Sequence, residues 1–177
     1  MPRTQTQYHP VLRLIHWSMA GLILSGFFIG VGMSASAGPD YLALAAWHRP
    51  IGIAVLALVL LRLAIRLSSP APALPQDMPG WQARAARTAH VLLYVCMFAM
   101  PVLGWAMVSA AGKPVVLVPG IVLPDFVWAD PALHAILRTS HSIVAYSFFT
   151  LILVHLAAAL HHRLIGRDGV FETMTVA

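Results

Sequence analysis

His141 and His155 share one apolar run of the chain and lie 14 residues apart. An α-helix turns about 100° per residue, so positions 14 apart return to within roughly 40° of the same face, roughly 21 Å along the axis. A helix over this run would hold two imidazoles on one stripe, one toward each side of an apolar layer about 30 Å thick. Polar side chains in such a layer are costly, and imidazole is a common ligand of metals and of haem iron. The spacing suits two stacked haem groups, each held between two imidazoles at equal depth. The single cysteine, Cys96, excludes an intrachain disulfide, and no Cys-x-x-Cys-His attachment motif exists. Any haem would therefore be bound non-covalently, and Cys96 reads as a small buried apolar residue.

The elements that must supply the opposite ligands are four apolar stretches, about 14–33, 50–67, 89–110 and 139–164. His16, His48 and His90 stand at or near the starts of the first three. For the outer layer the partner of His141 is His48. For the inner layer His155 has two candidate partners, His16 and His90. Any one histidine near a helix end is more often an ordinary interface residue; the combination of the set with the 14-residue pair carries the haem reading. His162 follows His155 by seven residues on the same face, where it could hydrogen-bond a quinone or a haem propionate. His134 is expected outside the fourth span and solvated, and His161 at the inner end is unremarkable.

Composition points to lipid as the solvent for most of the chain. Of the 177 residues 59% are hydrophobic and only 10% charged, with mean hydropathy +0.80, against about 25% charged in soluble domains. Four spans put both termini on one side. That side would hold Arg3, Arg13, Arg62, Arg66, Arg84, Arg87, Arg163 and Arg167, against Arg49, Lys113 and Arg138 on the other. The positive-inside rule then places both termini in the cytoplasm and explains the net charge of +5 without nucleic acid. Arg62 and Arg66 are expected to snorkel toward water, although arginine also pairs with carboxylates such as haem propionates. A signal peptide ending near Ser34–Gly38 is the rival for the first stretch, but the apolar run exceeds the usual h-region.

Residues 68–80 carry four prolines and read as an extended loop. Pro101 and Gly104 are expected to kink the third span. Residues 115–123 are too short to cross and read as an interfacial or re-entrant loop. A histidine-rich metal transporter is the competing membrane reading, but it would usually want intramembrane Asp or Glu, and the four spans contain none.

The ordered pieces Leu14-Ile-His-Trp17, Trp47-His-Arg-Pro-Ile-Gly-Ile53, Leu61-Arg-Leu-Ala-Ile-Arg66, Ala89-His-Val-Leu-Leu-Tyr94, Met100-Pro-Val-Leu-Gly104, Ser140-His-Ser142 and Val154-His-Leu-Ala-Ala-Ala-Leu-His-His162 cover nearly the whole chain. Together they resemble the bacterial cytochrome b561 family of dihaem four-helix membrane cytochromes. The resemblance implies two haem b groups, one on His16 and His155 and the other on His48 and His141. It implies that His90 matches a family histidine that is not the first choice of ligand. It also implies electron transfer between an outer-face donor, superoxide or another periplasmic donor, and ubiquinone, with a quinone site near the proline loop and His162. The chain departs from the superoxide-oxidising pattern in its lysine-poor loop, with Gln76 and Asp77, and in outer loops where Asp40, Asp125 and Asp130 balance the basic residues.

The expectation is thus a single all-α membrane domain over 1–177, a four-helix bundle in the bacterial inner membrane working as an oxidoreductase. An electron-relay or anchor subunit for a separate dehydrogenase and a haem-free metal transporter are the alternatives.

Overall fold

The computed structural model of the protein describes residues 7–75 and 78–175. Four helices dominate it: α1 (Pro10–Ala35), α2 (Gly38–Ser68), α3 (Gly80–Ala110) and α4 (Pro131–His161). Each is long and apolar enough to cross a membrane. The protein is a multi-pass, four-helix membrane bundle.

The helices are longer than hydropathy alone suggests; prolines open three of them, and side-chain caps fix the starts of α1 and α4. Pro10, Pro39 and Pro131 occupy first-turn positions, where a missing N–H costs nothing. The His9 ring accepts from the Val11 N–H, and the Asp130 carboxylate accepts from the Leu133 N–H at 2.9 Å. Helix α2 begins at Gly38, well ahead of Pro50, and runs through that proline; α3 likewise continues through Pro101. Interior prolines are tolerated where neighbouring helices support the freed backbone groups. The fourth helix begins early enough to include His134. That residue is half-buried rather than solvated, and its Nδ1 lies 2.9 Å from the Met107 carbonyl.

Residues 115–123, expected as an interfacial or re-entrant loop, form a short hairpin. Strands β1 (Val115–Val118) and β2 (Ile121–Leu123) pair antiparallel across Pro119 and Gly120, the latter at φ 87°. Pairing satisfies backbone groups that an interfacial loop would leave to the headgroup layer. The following segment is tied to α3 by Trp105 Nε1 donating to the Pro124 carbonyl, the Phe126 N–H to Ser109 Oγ, and the Asp130 N–H to the Ala110 carbonyl. Residues 69–75 and 78–79 carry no helix or strand, as four prolines require. Gln76, Asp77 and Arg3 lie outside the described residues.

Backbones pack closely for α1 with α2, α3 with α4 and α2 with α3, whereas α4 does not approach α1 or α2 in this way. The buried core lies along the bundle axis and draws on all four helices: Ile15, Met19, Val55, Val59, Met97 and Phe148. Between α1 and α4, Phe27 and Phe149 stack with centroids 4.2 Å apart and planes 3° from parallel.

Both described ends meet at one end of the bundle, here termed the inner end after the basic-residue count. The Tyr8 N–H donates to the Thr173 carbonyl, Arg13 Nη1 to the Thr175 carbonyl and Trp17 Nε1 to the Met174 carbonyl. Past α4 the chain makes a π-helical turn, His162–Gly166, reverses at Arg167 in the left-handed region, and closes with a short 3-10 turn, Phe171–Met174. Arg163 pairs with Glu172 to hold that turn back against the helix end.

Candidate functional site

Each histidine proposed as a ligand from the sequence faces its expected partner across the bundle. In the outer layer His48 of α2 and His141 of α4 have ring centroids 6.2 Å apart. In the inner layer His16 of α1 and His155 of α4 are 6.3 Å apart. Two imidazoles ligating one metal through bonds of about 2.0 Å would have ring centres about 6.4 Å apart. Both pairs match that separation. His90 of α3 also reaches His155, but at 5.5 Å and from a more exposed position.

The ring orientations have local causes. The Nδ1 of His48 lies 3.0 Å from the Gly26 carbonyl of α1. If Nδ1 donates to that backbone carbonyl, the ring is fixed and Nε2 is left free to ligate, as metal-bound histidines are commonly held. His141 Nδ1 is buried without a hydrogen bond of standard geometry, with the Met100 carbonyl of α3 in its vicinity.

Two glycines make room for the outer rings. A Cβ at Gly30 of α1 would lie 3.2 Å from His48 Cε1, and one at Gly104 of α3 would lie 3.3 Å from His141 Cε1. The conformational freedom of Gly104 is unused in a continuous α3; its missing side chain is what matters.

The spaces these imidazoles cross are those where α4 stands off from α1 and α2. Donor type, separation, ring fixation and helix spacing are therefore compatible with a flat macrocycle held at each layer. Among the described residues, no group of three or more His, Cys, Asp or Glu side chains is placed to hold a bare metal ion.

His162 lies beyond His155 at the inner end, half-buried, with its Nδ1 2.6 Å from Asp168 Oδ2. Slight burial pushes the Asp168 carboxyl up, but hydrogen bonds from His162 and from the Val170 N–H outweigh it and hold the group below the usual carboxylate range. Asp168 escaped the sequence reading because its partner is reached only through the reversal at Arg167. Hydropathy also misjudged Arg62: it is 9% exposed and donates through Nη1 to the Leu12 carbonyl at 2.6 Å instead of snorkelling to water. Arg66 lies 5.5 Å over the Tyr8 ring. An outward-opening cavity of about 700 Å³ lies in the outer loops, lined in part by Ser109, Lys113, Asp125 and Trp128, not by either histidine layer.

Known proteins share this arrangement of sequence. A family model described as prokaryotic cytochrome b561 matches residues 7–176. "Cytochrome b561 homolog 1" of Escherichia coli (strain K12) is 29% identical over 173 residues, covering 97% of this chain and 94% of the relative. "Cytochrome b561 homolog 2" of the same organism is 28% identical, covering 97% and 92%. A "Probable superoxide oxidase CybB" of Yersinia pestis is 29% identical over 128 residues, 72% of each chain.

Proposed function

The chain belongs to the prokaryotic cytochrome b561 family, and from that premise we propose that it is a dihaem b-type cytochrome of the bacterial inner membrane that carries electrons from an outer-face donor to ubiquinone. Membership of the family implies b-type haem and electron transfer. The number of haems, their ligands and the two redox partners are the further reading, and one observation carries it: two imidazole pairs, 6.2 and 6.3 Å between centroids, in two layers that α4 bridges.

In this reading His48 and His141 hold the outer haem and His16 and His155 the inner one. Haem bound at these layers would supply the one-electron couple. The residues of the chain would provide the imidazole nitrogens that hold it, exclude water through the apolar core, and keep the two layers roughly 21 Å apart along α4. His162, oriented by Asp168, is assigned to the quinone or to an inner propionate. Superoxide is the leading donor, by analogy with the relative whose name carries that activity. The balanced charge of the outer loops favours a second donor class, a periplasmic dehydrogenase for which this chain is the membrane relay, because an anion is best captured by an electropositive mouth.

The test is the purified protein's haem-to-chain ratio together with rapid mixing against superoxide and a soluble ubiquinone. Two haems per chain that are reduced by superoxide and reoxidised by quinone are expected. A colourless protein would sink the reading, and haems that ignore superoxide would move it to the relay.

A further inference from the structure

Arg62 stands on α2 14 residues after His48, the interval that separates His141 and His155 on α4. On one stripe, α2 thus presents an imidazole to the outer layer and a guanidinium to the inner layer. The inner placement is independently fixed by the bond from Arg62 Nη1 to the Leu12 carbonyl, one helical turn before His16 on α1. His16 in turn has its ring centroid 6.3 Å from that of His155. Among the described residues Arg62 is the charged side chain that is buried, and neither ion pair found there includes it. Arg84 and Arg87, which topology explains equally well, are exposed. A buried arginine held by one backbone carbonyl is an expensive way to mark a cytoplasmic loop.

Resting on the proposed pairing of His16 with His155, we infer that Arg62 is an electrostatic tuning residue that raises the reduction potential of the inner haem above that of the outer one. The oxidised centre carries one more positive charge than the reduced centre, so a fixed cation nearby favours the reduced form. Burial strengthens the effect, because water and salt screen a buried charge much less than an exposed one. In the outer layer Arg49 neighbours His48, but it is less buried than Arg62. The resulting difference directs electrons inward, from the His48–His141 layer to the His16–His155 layer and so toward the inner end.

The test is a spectroelectrochemical titration of the full-length, haem-loaded protein and its Arg62→Gln and Arg62→Lys variants. Parallel titrations use a His141→Ala background, which on the proposed pairing keeps only the inner haem, and a His155→Ala background, which keeps only the outer. Arg62→Gln is expected to raise the oxidised-to-reduced ratio of the inner haem about tenfold at a fixed potential, a negative shift of about 59 mV for one electron. The outer haem stays where it was. An unmoved or more positive inner midpoint overturns the inference, as does a shift confined to the outer haem. If Arg62→Gln retains no inner haem, the charge-conserving Arg62→Lys decides. An inner haem kept near the parent midpoint supports the inference; its loss marks Arg62 as a packing residue. Failure of either histidine background to lose one haem would instead count against the ligand pairing itself.

Discussion

Gly104 of α3 lies so close to His141 of α4 that a Cβ at this position would stand 3.3 Å from the imidazole Cε1. Gly30 of α1 bears the same relation to His48, at 3.2 Å. Gly104→Val therefore has to displace the ring or the helix, at about 1–3 kcal/mol by the usual cost of overpacking. The expected result is weakened outer haem binding with the inner haem retained, measured as haem per chain and as a thermal melt. Gly21, with no atom within 4 Å of its would-be Cβ, is the control: Gly21→Ala should keep both haems and gain about 0.5–1 kcal/mol from helix propensity.

The proposed ligand pairs predict a pattern of losses. His48→Ala and His141→Ala should each remove the same haem, and His16→Ala and His155→Ala the other. His90→Ala should retain two haems per chain, since its 5.5 Å separation from His155 is shorter than two iron–imidazole bonds allow. Haem quantification with optical spectra of the reduced variants reads this directly. A His90→Ala protein with a single haem would reverse the assignment of the inner layer.

The His162–Asp168 contact predicts an acid-labile inner end. The folded-state pKa of Asp168 is depressed, so its contribution is fully present above the unfolded carboxylate value of about 3.9 and is lost as pH falls through the lower folded value. Amide exchange at Val170, whose N–H donates to Asp168 Oδ1, should quicken across that acid window. In Asp168→Asn the acid step should vanish; a step of unchanged size would assign it to another group.

The clasp between the two described ends predicts long-range coupling. Removing the residues after Val170 takes away the Thr173 and Met174 carbonyls that accept from the Tyr8 N–H and the Trp17 indole. Faster exchange at Tyr8 and a shifted Trp17 indole resonance are expected, with the outer-end Asp130 amide, bonded to Ala110, unaffected.

The sequence by itself determined the membrane class, the number of spans, the shared side of the two ends and the layer of each key histidine. These follow from hydropathy over whole helices and from helical period, which are local and additive. Spacing alone left His16 and His90 both open as inner partners, because both begin a span at similar depth, and only the family resemblance put His16 first. The sequence also misjudged what depends on chain partners distant in sequence: the burial of Arg62 against Leu12 and the Met107 carbonyl waiting for His134. Only the tertiary structure decided how near the rings stand and which glycines face them, and only folding back at Arg167 brought Asp168 to His162. Ring separations depend on which helices pack closely and which stand apart, and that packing is a property of four faces together rather than of any one stretch.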